Sequence, residues 1–369
     1  MERPIFMPVG TPVQELDTPA LVVDIDALEQ NIETLHSFFR QRQARVRPFV
    51  GAHRCPAIAH KQMAAGGTVG GISVATVGEA EVFAQHGFLD ISITGQVVTR
   101  QKIERLCALA RSVKVTVPVD NAENVRALSG ACRDFGVTLH VLVDVHTRLE
   151  RSGVEPGRPA VELARQVAGV DNLRFAGFMT YEGTILSADA QVVERESRKC
   201  ADALLDTREM AEQQGIEVEV VSLGNTSNYH VVGEIPGVTE VVAGAYALME
   251  QRYLSHMPWF KAAARVLSTV TSHPDLSTGI LDAGQKAVGM DTGLAVVDGM
   301  PGVTLTKMSA EHGTLALEGE ARSRLSVGDK VWLVPWDMGV CTNLYDYIRA
   351  VRNGRLEAMW EVSARGRYR

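Results

Sequence analysis

Groups able to move protons or hold anions recur where short β-branched runs end. His53 follows "VRPFV" (46–50), His146, Arg148 and Arg151 follow "LHVLVDV" (139–145), and Tyr181 and Glu182 close "FAGFMTY" (175–181). Imidazole titrates near neutrality and a phenol can relay a proton, so His53, His146 and Tyr181 are acid–base candidates. Arg148 and Arg151 carry planar forks that match a carboxylate. The run "VEVVSLG" (218–224) leads into "SLGNTSNY", where Ser222, Gly224, Asn225, Thr226 and Ser227 offer N–H and hydroxyl donors to an anion such as phosphate. Each has a plainer alternative. His53 could be a satisfied buried polar residue, His146 could pair with a neighbouring carboxylate, and Tyr181 could only pack.

The elements that must position these groups are legible. Eight β-branched runs, at 46–50, 71–76, 91–95, 114–119, 139–145, 175–181, 218–224 and 240–246, are mostly separated by helix-length amphipathic stretches such as "VGEAEVFAQHG". This alternation predicts an α/β fold, a parallel (β/α)8 TIM-type barrel, with a doubly wound sheet as the alternative. Barrel chemistry sits at the C-terminal ends of strands, which selects Gly51, His53, Thr76, Gly95, Gln96, Asp120, His146, Arg148, Tyr181, Glu182, Gly224 to Ser227 and Tyr246. From about Pro258 the texture changes to short strands between turn residues, "ARVLSTVTS" to "RLEAMWEVSARG", predicting an all-β domain. The expected division is a barrel over 18–250 and a β-domain over 1–17 and 258–369, with the strand at 20–26 able to join the β-domain.

The chain has 369 residues, 46% hydrophobic and 22% charged, with a formal charge of −7. Those values suit a soluble globular protein acting on a small molecule and oppose nucleic acid or an anionic membrane as partners. No apolar run reaches membrane-spanning length and no secretory signal is legible, so a cytoplasmic location is expected. The five cysteines are scattered and form no CxxC pair, which opposes a disulfide framework and a structural zinc site.

The stretches "DTPALVVDIDALEQNI", "ATVGEAEVFAQHG", "ERSGV", "YEG" and "LDAGQKA" resemble the D-threonine aldolase and D-serine dehydratase-like family from about Asp17 to Arg365. The resemblance implies an alanine racemase-type barrel followed by a β-domain, a homodimer, and pyridoxal phosphate (PLP) chemistry on β-hydroxy amino acids assisted by a divalent metal. In this family a segment like R-P-H-x-K-T-H-K carries the Schiff-base lysine. Here "RPFVGAHRCP" places Gly51 at that position and Arg54 at the second lysine. Neither can form the imine. Glycine in a tight turn is the plainer reading of Gly51.

Further departures fall in functional places. "VPWDMG" puts Asp337 and Gly339 where the family has its metal pair, His146 and Arg148 replace aspartate and glycine, and Asn225 and Asn228 crowd the phosphate turn. Arg151 and Tyr181 are retained, and Thr184 stands where histidine is common. The resulting expectation is an aldolase-like lyase for a β-hydroxycarbonyl or β-hydroxy acid compound. It would act without a PLP Schiff base, through His53, His146, Tyr181 and Arg151, with Asp337 holding Mn, Mg or Zn. Asp337 could instead form a surface salt bridge. The alternatives are a catalytically silent homologue that binds PLP or a small carboxylate non-covalently, and an enzyme whose imine forms on another lysine such as Lys286.

Overall fold

The computed structural model describes residues 7–290 and 292–369. The described residues divide into two compact units, one of residues 7–34, 52–58, 245–290 and 292–365, the other of residues 35–51, 59–244 and 366–369.

The second unit is a parallel barrel. Its strands are β2 (Arg45–Pro48), β3 (Ile72–Val74), β4 (Asp90–Ile93), β5 (Lys114–Val119), β6 (Leu139–Asp144), β7 (Leu173–Met179), β8 (Val220–Ser222) and β9 (Glu240–Ala243), following β1 (Ala20–Asp24). The hydrogen-bonded order is β2-β9-β8-β7-β6-β5-β4-β3, and the parallel bridges Val46–Thr68 and Phe49–Ser73 bring β3 back to β2. The expected eight strands are therefore present in a nearly closed barrel. Val115, Thr116 and Val117 of β5 and Val141, Leu142 and Val143 of β6 are buried in succession, the pattern of strands covered on both faces.

Local signals set the helix boundaries. Thr76 accepts from the Glu79 N–H (3.2 Å) while the Glu79 carboxylate accepts from the Ala75 N–H (2.8 Å), a capping box that starts the helix Val77–Gln85. Asn121 caps the helix Ala122–Phe135, and Gly136 ends it at φ +65°. Gly177 in β7 has no substitute: at φ +149°, a Cβ there would lie 1.9 Å from the Val220 carbonyl oxygen of β8.

A buried ionic network locks strands of the barrel together. Arg47 Nε donates to Glu240 (2.6 Å) and its Nη1 to Asp90 (2.6 Å), while Lys114 pairs with Asp90 (2.9 Å) and Ser222 Oγ donates to Glu240 (2.8 Å). These contacts join β2, β4, β5, β8 and β9. The Arg47 charge holds the Asp90 carboxyl below its ordinary value despite burial, which acts in the opposite direction.

The first unit is a mixed sheet in the order β13-β14-β11-β10-β1-β16-β17, from β10 (Ala264–Asp275), β11 (Thr278–Leu281), β13 (Val303–Met308), β14 (Gly313–Leu317), β16 (Tyr347–Arg352) and β17 (Arg355–Glu361). Two further strands, β12 (Val296–Asp298) and β15 (Lys330–Val334), pair with each other, and β15 also pairs with β10. Strand β1 pairs antiparallel to β10 and parallel to β16, so it belongs to this sheet rather than to the barrel. Among the described residues, no helix is long and apolar enough to cross a membrane.

Candidate functional site

The C-terminal ends of β6, β7 and β8 assemble two adjoining arrangements. The first is the turn after β8. Gly224 has φ +88°, and a Cβ there would meet Val232 Cγ2 at 2.4 Å, so only glycine fits. Its N–H donates to Glu182 Oε2 at 3.2 Å. The Asn225 N–H donates to Asn228 Oδ1 (2.9 Å), the Ser227 N–H to Asn225 Oδ1 (2.9 Å), and the Asn228 N–H to the Asn225 carbonyl (3.3 Å). Ser227 Oγ donates to Asn225 Oδ1 (2.7 Å) and accepts from the Ile185 N–H (3.0 Å). Thr226 is buried beside them.

Glu182 anchors this turn from beneath. It is fully buried and accepts from Asn228 Nδ2 (2.6 Å) and Asn225 Nδ2 (3.3 Å) through Oε1. Asn225 Nδ2 also donates to the Gly183 carbonyl, and Asn228 Nδ2 to Ser197 Oγ. Burial pushes the Glu182 carboxyl above its ordinary value, opposed by the Asn228 amide, backbone N–H groups and the Arg148 charge. Arg148 also donates to the Glu182 carbonyl at 3.0 Å.

The second arrangement is a narrow crevice where Asp144, Thr147, Arg151, Ser152, Thr180 and Tyr181 come together beside Val145 and Leu149. Asp144 is the last residue of β6. Its Oδ2 accepts from Gln96 Nε2 (2.7 Å) and Ser152 Oγ (2.8 Å), while Oδ1 meets no donor among the described residues. Burial is the largest influence on this carboxyl and raises it above its ordinary value; Asp120 adds to the rise, and Ser152, Gln96 and Arg151 oppose it. Arg151 lies over the Tyr181 ring, 5.3 Å from its centre, and Thr147 and Thr180 share a hydroxyl–hydroxyl bond of 2.8 Å. A carboxylate with raised proton affinity, a guanidinium, a phenol and hydroxyls thus share one small volume. Such a set can take a proton from a hydroxyl and hold a carboxylate.

Of the residues brought together here, Arg151 and Tyr181 are expected from the sequence and Asp144 is not, because it ends an otherwise apolar run. Its position as the last residue of β6 was the available signal. His146 does not line the cleft, although its neighbours Val145 and Thr147 do, and its Nδ1 lies 3.4 Å from Glu155 Oε1. His53, expected to exchange protons, is fully buried, and its Nδ1 accepts from the Cys55 N–H at 3.1 Å. Ser222, expected to bind a cofactor, instead donates inward to Glu240 as part of the barrel lock.

At Gly51, a Cβ would lie 2.7 Å from Phe49 Cζ, so the Phe49 ring covers the space a side chain would need. Asp337, expected to hold a metal, caps the short helix Met338–Thr342 by accepting from the Val340 N–H (3.0 Å), and its Oδ2 lies 3.7 Å from Arg252. Gly339 brings no ligand. Among the described residues no three His, Cys, Asp or Glu side chains converge as a metal site would require. Lys286 pairs with Glu311 on the exposed surface.

Residues 23–250 match the family described as alanine racemase, N-terminal domain, and residues 263–351 match the putative serine dehydratase domain. The chain is 33% identical over 363 residues to a D-threonine aldolase of Arthrobacter sp, covering 97% of this chain and 95% of that one. It is 32% identical to a 3-hydroxy-D-aspartate aldolase of Paracoccus denitrificans, covering 97% and 94%. Among solved structures, a D-threonine aldolase from Filomicrobium marinum superimposes with a TM-score of 0.95 at 34% identity, covering 98% of this chain and all of that one.

Proposed function

Because the chain belongs to the family of D-threonine aldolase and 3-hydroxyaspartate aldolase, carbon–carbon lyases on an alanine racemase-like fold, we propose that it is an aldolase-type lyase working without a PLP imine. Its substrate on this reading is a small β-hydroxycarbonyl compound or β-hydroxy acid that supplies its own electron acceptor.

The observation that carries this reading is the turn at 224–228, whose N–H groups at 224, 225, 227 and 228 are all taken up by partners within the protein. A phosphate needs such donors. Gly51 offers no amine, and Phe49 crowds the position where one would start. The residues present therefore do not fit the coenzyme that the family implies.

Asp144 is the base in this mechanism. Its Oδ1 takes the proton of the substrate's β-hydroxyl, the Cα–Cβ bond breaks, and the hydroxyl carbon leaves as an aldehyde or ketone. The bond's electron pair moves onto the substrate's own carbonyl as an enolate, which the proton held on Asp144 then neutralises at the former α-carbon, returning the base to its starting state. Arg151 holds the negative charge. The donors around Asp337 do not fit a divalent metal, since one oxygen caps a helix and the other faces Arg252. Enolate stabilisation is accordingly assigned to Arg151.

The test is turnover of a panel of β-hydroxy ketones, β-hydroxy keto acids and β-hydroxy amino acids, with aldehyde release measured with and without added PLP. Aldehyde release independent of PLP is expected. Release only from amino acids and only with PLP refutes the proposal; saturable carboxylate binding with no turnover assigns the silent homologue instead.

A further inference from the structure

We infer that Asn225 and Asn228 act as built-in occupants of the anion turn, restricting this chain to ligands that carry no phosphate at that end of the barrel. The inference deepens the proposed function, resting on it only in taking the turn as part of the ligand site.

Donors alone do not make an anion site; they must be available. Each asparagine here plays two opposed parts. Through Oδ1 it satisfies a backbone N–H of the turn: Asn228 that of Asn225, and Asn225 that of Ser227 together with the Ser227 hydroxyl. Through Nδ2 it is fixed to Glu182, at 2.6 Å from Asn228 and 3.3 Å from Asn225. The amide orientation is thereby set, because Glu182 can only accept while ionised, and the turn N–H groups can only donate.

An entering phosphate would have to displace both amide oxygens. It would also have to sit beside the Glu182 carboxylate, which already takes the Gly224 N–H. Glycine at 225 and 228 would remove both amide oxygens and expose the N–H groups of Asn225 and Ser227. A short carboxylate held by Arg151 in the neighbouring cleft makes no demand on the turn. The chemical class that remains is an unphosphorylated hydroxy acid or keto acid.

The test compares inorganic phosphate, pyridoxal and PLP as ligands of the full-length protein, read by thermal midpoint and by amide hydrogen exchange. For wild type, phosphate is expected to leave the midpoint and the exchange of amides 224, 225 and 227 unchanged, and PLP is expected to bind no better than pyridoxal. For N225G/N228G, PLP is expected to bind at least tenfold more tightly than pyridoxal. If that double variant does not fold, Asn225→Gly, which keeps the Asn228–Glu182 bond, is expected to gain a phosphate-dependent midpoint rise.

Saturable phosphate protection of the wild-type amides overturns the inference whatever the variants do. So does a folded variant that gains no preference for phosphate. A borohydride-stable lysine adduct without phosphate protection at the turn refutes the imine-free lyase and leaves this inference standing.

Discussion

Replacing Asp144 by asparagine separates its chemical part from its structural one. Both hydrogen bonds to the carboxylate, from Gln96 (2.7 Å) and Ser152 (2.8 Å), end on the same oxygen, Oδ2. An asparagine whose carbonyl oxygen occupies that place keeps both, and it carries no charge to bury. The wild-type carboxyl has a raised pKa in the fold, chiefly from burial. A carboxyl raised in this way binds protons more tightly folded than unfolded, so its contribution to stability is fully present when protonated and declines as pH rises through the folded value. Above the ordinary carboxyl range this raised pKa is therefore a cost that asparagine removes.

Asp144→Asn should accordingly be as stable as wild type at pH 7, within about 0.5 kcal/mol, or more stable. Any advantage should shrink as pH falls towards the ordinary carboxyl range. Turnover should behave oppositely, because a general base contributes roughly 10²–10⁴-fold, which is about 3–5 kcal/mol of barrier. Urea unfolding at several pH values and aldehyde release under single-turnover conditions measure the two effects. Turnover within tenfold of wild type removes Asp144 from the chemistry, and a stability loss above about 2 kcal/mol at pH 7 makes it a structural group instead.

Other perturbations address the barrel and the site. Arg47→Met strands Glu240 and Asp90 without their buried partner and should lower unfolding stability by about 3–5 kcal/mol in urea titration; a loss under 1 kcal/mol would show that the network is solvated. Gly177→Ala forces a Cβ to within 1.9 Å of the Val220 carbonyl and should prevent recovery of folded protein, or lower its stability by more than about 4 kcal/mol. Dialysis against a chelator should leave turnover unchanged, since Asp337 is committed to its helix cap, and metal-restored activity would assign the enolate to a metal rather than Arg151. His53→Gln should shift the pH–rate profile little but reduce stability, because the buried ring serves the Cys55 N–H; loss of one limb of that profile would restore its acid–base assignment.

The barrel was readable because buried parallel strands leave uninterrupted β-branched runs, as in "KVTVPV" and "LHVLVDV". The membership of β1 in the other sheet was only an option at that level, because local pattern carries no partner information. Site residues were readable where strand end and chemistry coincide, as at Tyr181 and Arg151. Residue type at Ser222 and His53 does not reveal the direction of a side chain: one turns into the barrel lock, the other accepts from the Cys55 N–H. Asp144 was hidden by apolar neighbours. Asn225 and Asn228 stood out as crowding the turn. Their closure of it by amide oxygens, held by Glu182, depends on contacts 43 and 46 residues apart in sequence.

Borohydride reduction of the purified, PLP-incubated protein, followed by peptide mass mapping, tests the imine-free mechanism most directly. No lysine peptide should carry the reduced pyridoxyl group while aldehyde release proceeds. A stoichiometric adduct on Lys286 or any other lysine would contradict it.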